Sequence, residues 1–320
     1  MADCSAQLQS QLRQARESGT AIHVQGSGSY ARFISPPTGQ ELSTREHTGI
    51  VSFEPTEMVV TVRAGTPIKE LEQRLATENQ QLGVECPQLS EQATIGGAIA
   101  MGMSGSSRPF TGAMRDFVLG VRMLNGLAED LSFGGQVMKN VAGYDLSRLM
   151  VGSQGRLGML LEVSLRVLPC PERRLQLVLQ QPEYSDAVDF ANQLLAQAQP
   201  VTGASWYQGQ LHLRFAGRSA TMDRLQKDIG GETENADWWA ALQRWDMPWG
   251  ASAQRYYCQD AQRKPASSQP WLADWNGRLI WSAETDQGTA TDSDAGLRAQ
   301  IEQRLCRAFD PDGLFGGVAA

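Results

Sequence analysis

Apolar residues recur along this chain at two alternating periods, and each change of period marks an element. Leu8, Leu12 and Ala15 form a helical stripe, with Ser5 placed to cap it and Gly19 to close it. Residues 21–25 predict a strand running into the turn Gly26-Ser27-Gly28-Ser29. Residues 49–54 and 58–63 predict two more strands, with Glu54-Pro55 as the turn between them. Thr66-Pro67 opens a helix to about Asn79, because proline suits the first helical position. From Cys86 to Gly112 small residues dominate and a loop is expected; strand composition returns at 117–124 and 159–168, ended by Pro169 and Pro171. This alternation predicts an α/β or α+β first domain.

The second half has a different texture. All eight tryptophans lie between Trp206 and Trp281. The pattern predicts a strand at 175–180, a helix at 184–198, strands at 203–208 and 210–216, a helix at 219–229 and a strand near 278–282. That order is the ferredoxin-like split pattern. Residues 250–275 and 284–292 are polar and weakly patterned, so loops are expected there. A last helix, about 293–308, carries Leu297, Ile301 and Leu305 at fourfold spacing. No internal repeat is found.

Charge and cysteine usage narrow the function classes. A net charge of −7 and a pI near 5.1 argue against a nucleic-acid partner, whose phosphates demand a basic footprint. The five cysteines are scattered singly without a C-x-x-C pair, which excludes a zinc knuckle or an iron–sulfur ligand set and predicts no metal site. They also give no disulfide framework, as suits a reducing cytoplasm. Residues 1–19 have no apolar signal core, and no run approaches the ~20 apolar residues of a membrane span.

Two glycine-rich segments are the candidates for chemistry. Gly26-Ser27-Gly28-Ser29-Tyr30-Ala31 follows a strand and matches G-x-G-x-x-A, with Glu46 as a possible ribose partner. That dinucleotide fingerprint requires a helix to begin at the loop. Here Ser35-Pro36-Pro37-Thr38-Gly39 leaves no room for one, so the nicotinamide reading fails on context. Two alternatives stay open: a nest of backbone N–H groups with two serine hydroxyls that cradles a pyrophosphate, or a plain turn between strands. The second segment runs from Pro87 through Ser90, Thr94, Ile95, Gly96 and Gly97 to Ser104-Gly105-Ser106-Ser107. Small residues there either let backbone approach a ligand or pack one helix tightly.

Six segments carry a family resemblance. They are Val24–Ser29, Thr61–Thr66, Gln92–Gly97, Arg115–Gly120, Lys139-Asn140-Val141-Ala142-Gly143-Tyr144-Asp145-Leu146 and Gly152–Gly158. In this order they resemble the FAD-binding domain of the p-cresol methylhydroxylase (PCMH) and vanillyl-alcohol oxidase (VAO) superfamily. The Lys139–Leu146 run resembles its glycolate oxidase and D-lactate dehydrogenase branch. Trp275-Asn276-Gly277-Arg278-Leu279-Ile280-Trp281, in a short second half, resembles the E-subunit family of bacterial glycolate oxidase, and Phe309-Asp310-Pro311 its terminal motif. The likeness is strong over residues 20–170 and faint over 175–275.

The resemblance implies an α+β chain: a two-lobed PCMH-type FAD-binding domain (1–172), a smaller ferredoxin-like α/β cap (173–292), and a C-terminal helix and tail (293–320) returning to the FAD domain. It implies FAD, held noncovalently. Gln25, Gly26, Ser27, Gly28 and Ser29 would take the pyrophosphate. Pro87, Ser90, Thr94, Ile95, Gly96 and Gly97, with Ser104 and Gly105, would line the ribityl chain and isoalloxazine. Arg115 would lie near the flavin, and Gly158 to Val163 would pass the adenine side. Relatives that tether FAD use a histidine just after the first loop, where this chain has Ser29-Tyr30-Ala31; His23 precedes the loop and reads as a packed histidine.

Oxidation of a 2-hydroxy acid needs a cation for the carboxylate and a base or metal for the hydroxyl proton. Catalytic relatives carry a His-x-Gly-Asp-Gly-Asn-x-His run, and this chain has only His23, His47 and His212. His212 alternates with Leu211 and Leu213, so it is expected to face solvent. Arg108 and Lys139 would hold a carboxylate or form structural ion pairs, Arg63 and Arg115 would face the flavin, and Tyr144 and Asp145 would orient the ring or seal the domain. Gln154 and Arg156 depart from the family pattern at the adenine side. The resemblance therefore implies an FAD-dependent subunit that relays electrons from a catalytic FAD-containing glycolate oxidase subunit to an iron–sulfur subunit, in the cytoplasm or peripheral to the inner membrane through those partners. The alternatives are a structural scaffold of the same complex that has lost redox function, and autonomous dehydrogenase activity.

Overall fold

The computed structural model describes residues 2–34, 38–135, 145–233, 237–246, 254–265, 267, 269–283 and 295–316. The chain begins α1 (Ser5–Glu17), β1 (Ile22–Gln25), β2 (Gln40–Ser43), β3 (Ile50–Glu54), β4 (Val59–Arg63), α2 (Ile68–Ala76), β5 (Gln80–Leu82), α3 (Ile95–Met101) and α4 (Arg108–Thr111). It continues β6 (Val118–Leu124), β7 (Asp130–Gly134), α5 (Leu146–Leu149), β8 (Met159–Pro169), β9 (Arg173–Gln180), α6 (Tyr184–Ala196), β10 (Val201–Tyr207), β11 (Gln210–Gly217) and α7 (Ser219–Ile229). Last come β12 (Glu232–Thr233), α8 (Asp237–Arg244), β13 (Gln254–Tyr257), β14 (Trp271–Asp274), β15 (Leu279–Ser282) and α9 (Ala295–Phe309). Two compact units result: Met1–Met103, Ala113–Pro169 and Asp292–Ala320 form the first, and Ser104–Gly112 with Cys170–Thr291 the second.

In the first unit β8 is the spine. The sheet runs β3-β4-β8-β6-β7, with β5 also pairing β8, and every pairing is antiparallel. Its sequence opens on the apolar run Met159-Leu160-Leu161 and then alternates, Val163, Leu165 and Val167 being buried between Glu162, Ser164 and Arg166. Val163, Leu165 and Val167 join Ile68, Leu71 and Leu75 of α2 and Ile95 and Ile99 of α3 in one core. Met159 and Leu161 join Leu8, Leu12 and Ala15 of α1 in another, with Ile22, Leu42 and Leu314. Each such Val, Leu, Ile or Met side chain contributes about 1.5–3 kcal/mol when fully buried. β1 and β2 stand apart as a parallel pair, Ile22 against Gln40.

Local detail corrects two expectations here. Ser5 is the first residue of α1 and not its cap: Asp3 Oδ1 accepts from Ser5 N at 3.0 Å and from Ser5 Oγ at 2.7 Å. The expected loop from Cys86 to Gly112 contains α3 and α4, whose small residues hide the helical period.

The second unit holds a seven-stranded sheet in the order β12-β9-β11-β10-β14-β15-β13. Its first four strands, with α6 and α7, make the ferredoxin-like arrangement. The strand closing that motif is the two-residue β12 beside β9, whereas 279–282 is β15, paired to β14 and β13. Strands β13 and β14 also lie within the stretch expected to be loop. His212 is not solvent-facing: it is 4% exposed and stacks on Trp238 with ring centroids 3.8 Å apart. Leu211, His212 and Leu213 are all buried, so alternation along β11 does not separate a core face from a wet one. Trp238 of α8 covers the face that holds His212.

Candidate cofactor site

A groove in the first unit is built by three chain segments. The first leaves β1. Ile22 N donates to Leu314 O at 2.7 Å, which fixes the start of that strand, and Thr44 N donates to Gln25 O at 2.9 Å at its end. The turn that follows has Gly28 at φ +75°, a conformation that costs an L side chain about 1–2 kcal/mol. Ser27 and Ser29 hydroxyls lie 3.0 Å apart. The backbone amides of Gly26, Ser27, Gly28 and Ser29 donate to no acceptor among the described residues. Among the described residues, a 3₁₀ turn, Ala31–Phe33, follows the loop.

The second segment is the start of α3. Thr94 caps it, its Oγ1 accepting from Gly97 N at 3.2 Å. A Cβ on Gly26 would lie 2.4 Å from that same oxygen, so glycine is required where the two segments meet. Tyr30 bridges them further: it is buried, its ring backs Gly97, and its hydroxyl donates to Pro87 O at 2.5 Å. Burial pushes the Tyr30 phenol well above its ordinary range. At Gly96 the tight-packing reading also holds, since a Cβ there would meet Ala64 at 2.7 Å.

The third segment is the loop before β8. Gly152 N donates to Ile99 O at 3.0 Å and Gln154 N to Ala100 O at 2.8 Å, which pins it on the end of α3. Arg156 turns away from it and faces Glu302 of α9 at 3.6 Å. Asp310 Oδ1 and Oδ2 accept from Leu314 N at 2.9 Å and Phe315 N at 2.8 Å, which places Phe315 on the groove wall.

The groove has a volume of about 140 Å³, against roughly 10–15 Å³ by the same measure for one water. It therefore suits an extended ligand. Among the described residues lining it none is a carboxylate, lysine or arginine. Its polar groups are backbone amides, hydroxyls of Ser27, Thr44, Thr94 and Ser153, the amides of Gln25 and Gln154, and His23. His23 Nδ1 is buried and has no hydrogen-bond partner among the described residues. Main-chain donors without an acceptor among the described residues, beside small residues, fit a pyrophosphate-containing nucleotide held by neutral hydrogen bonds.

Of the residues expected from sequence, Gln25, Gly26, Ser27, Gly28, Thr94, Gly96, Gly97 and Gly158 line this groove. Ser29 sits beside it through Ser27. Pro87 lies behind Tyr30, Ser90 is exposed, and Ile95 is in the core. Arg115 is exposed in the 3₁₀ turn Met114–Asp116. Val163 is buried mid-sheet, paired with Val62 and Val121. Ser104 and Gly105 belong to the second unit. Arg63 binds Thr48 O and Asp3, and Asp145 caps α5. Lys139 and Tyr144 lie outside the described residues. Tyr30 and Phe315 also form the wall, and neither lies among the flavin contacts expected from sequence; Gln154, a departure from the family pattern, lines it too, and His23, expected to be packed, is half-buried beside it.

Several known proteins resemble this chain. Residues 1–134 match the family model described as an FAD binding domain. The chain is 38% identical to glycolate oxidase subunit GlcE of Escherichia coli (strain K12), over 98% of this chain and 96% of that one. It is 29% identical to glycolate oxidase subunit GlcD of Bacillus subtilis (strain 168), over 55% of this chain and 37% of that one. Among solved structures, alkyldihydroxyacetonephosphate synthase superposes with a TM-score of 0.68 at 16% identity, covering 97% of this chain and 73% of that one. The last likeness concerns fold.

Proposed function

This chain belongs to the family of glycolate oxidase E subunits, FAD-binding oxidoreductases of the PCMH type, and from that premise we propose that it is the FAD-holding relay subunit of a 2-hydroxy-acid-oxidising complex. It receives electrons from a catalytic flavoprotein sibling and passes them to an iron–sulfur subunit. Bound in the groove, FAD supplies the redox chemistry. The observation that carries the reading is the run of amides at Gly26–Ser29 with no acceptor among the described residues, set against Thr94 and Gly97.

Each segment has a task in this reading. The amides of Gly26–Ser29 and the hydroxyls of Ser27 and Ser29 would hold the pyrophosphate without a cation. Thr94, Gly97 and Tyr30 would support the chain beyond it, and Gln154 and Gly158 the opposite end. The Pro87 carbonyl, which accepts from the Tyr30 hydroxyl, would hold that ring in place behind Gly97. Noncovalent attachment follows from the residue types at Ser29–Ala31. No helix among the described residues is long and apolar enough to cross a membrane, so attachment at a membrane surface would go through the partner subunits.

Visible absorbance of the purified chain tests the cofactor claim, and co-purification with the catalytic and iron–sulfur subunits tests the complex. A yellow chain whose flavin is reduced by glycolate only when the sibling is present is the expected result. A folded, colourless chain that takes up no added FAD overturns the relay and leaves a scaffold.

A further inference from the structure

The hairpin between β14 and β15 in the second unit holds a conformation that bulky residues rarely adopt. Trp275 has φ +52°, as does Asn276 after it, and such strain in a tryptophan persists only where neighbours enforce it. Asp274 Oδ1 accepts from Trp275 N at 2.8 Å, and Ser106 Oγ donates to Asp274 Oδ2 at 2.7 Å. The Trp275 indole Nε1 donates to Gly105 O at 2.9 Å. The outcome is an indole only 3% exposed and fixed from both ends.

Two arginines stand over this ring. The Arg108 guanidinium carbon is 4.6 Å from its centroid and that of Arg255 is 5.8 Å away. Arg255 also lies 5.2 Å from Trp245 and 5.6 Å from Trp281, so a tryptophan cage surrounds it. Burial there lowers its pKa, and Arg108 adds repulsion; its polar neighbours are Tyr257 and, through charge, Asp274. Neither guanidinium has a carboxylate ion pair among the described residues. Among the described residues these two cations face one carboxylate, Asp274, an excess of one positive charge. Tyr257, 61% exposed, stands 5.5 Å from Trp275 and flanks the cluster.

We propose that Arg108 and Arg255, backed by Trp275, form a binding site for one carboxylate group. A guanidinium presents a planar fork that matches a carboxylate, and aromatic walls strengthen the interaction by excluding water. One net positive charge suits a monoanion better than a phosphate dianion. The carboxylate comes either from a small 2-hydroxy or 2-oxo acid or from an acidic side chain of the catalytic sibling. The choice of glycolate as probe rests on the proposed function, and the flavin content of the same samples tests that function separately.

Tryptophan fluorescence of the purified full chain, titrated with glycolate and with neutral glycolamide, gives the first arm. A saturable response to glycolate alone, weakened roughly tenfold or more in Arg108→Gln, supports the small-acid source; that loss is the scale of one charge-assisted hydrogen bond. Co-purification with the sibling gives the second arm. No glycolate response, together with loss of the sibling in Arg108→Gln, supports the acidic side chain as source. Arg108 is chosen because it is only half-buried; if its glutamine variant melts early, Arg108→Lys keeps the charge and tests the fork alone. Tighter binding of inorganic phosphate than of glycolate overturns the assignment. So does wild-type behaviour of the Arg108 variants in both arms.

Discussion

Gly26 and Thr94 approach so closely that a single carbon on Gly26 would sit 2.4 Å from the Thr94 hydroxyl oxygen. That oxygen already accepts the Gly97 amide, so it cannot retreat without uncapping α3. The contact joins the first loop to the helix opposite and sets the width of the groove.

Gly26→Val is therefore expected to abolish flavin retention, with the rest of the fold preserved. The ratio of visible to ultraviolet absorbance after gel filtration measures retention, and circular dichroism checks the fold. Gly28→Val acts on the same loop through its positive φ, and Gly97→Leu through the wall behind it. Normal flavin content in any two of the three would sink the placement of the loops.

Thr94→Ala removes the cap of α3 and costs about 0.5–2 kcal/mol. Thr94→Ser keeps the oxygen and should restore most of the loss. Urea midpoints of the three proteins order the effect, and flavin affinity should follow the same order. Equal midpoints for alanine and serine would show that the hydroxyl does not matter.

Asp310 is 5% exposed and accepts two buried backbone amides. Asp310→Ala strands both donors, at about 1–3 kcal/mol each. It also releases Phe315 from the groove wall. Thermal melting should fall by several degrees and flavin should be lost at lower temperature than the fold. Wild-type melting would contradict this account of the tail.

Acid sensitivity comes from the first turn of α1. Hydrogen bonds from Ser5, then the charge of Arg63, hold the Asp3 carboxyl at about 2, below its ordinary 3.8. Its contribution is complete above 3.8 and is lost as pH falls toward 2. Beside it, burial lowers the pKa of His47 below its ordinary 6.5. Protonation of His47 then favours the unfolded chain, so stability declines as pH drops below 6.5. Urea midpoints measured from pH 7 to pH 3 should fall in both stages. Asp3→Asn should remove the lower stage and, because the Asp3 charge raises the His47 pKa, deepen the upper one; an unchanged profile in that variant counts against this account.

Much of the groove was legible because its requirements are local. Gly26, Gly28 and Gly97 sit in runs of small residues beside strand or helix signals, and the two prolines after the loop excluded a nucleotide-binding helix. α1 and β8 were equally plain, as their apolar spacing has one explanation. What stayed hidden depends on long-range partners. Tyr30 looks like a loop residue until Pro87 accepts its hydroxyl, and Phe315 reaches the groove only through Asp310. His212 alternates like a wet residue because the helix that covers it, α8, comes later in the chain. β12 is too short to carry a period at all. The ion-pair fate of Arg63 and Arg156 was likewise invisible, since Asp3 and Glu302 are far away in sequence.

The hydrogen bond from Ile22 to Leu314 ties the first strand to the turn that follows α9. The strand that leads into the glycine loop is thus anchored by a segment remote from it in sequence. A chain cut before Asp310 loses that anchor together with Phe315, and should release its flavin even where the sheet around β8 still forms.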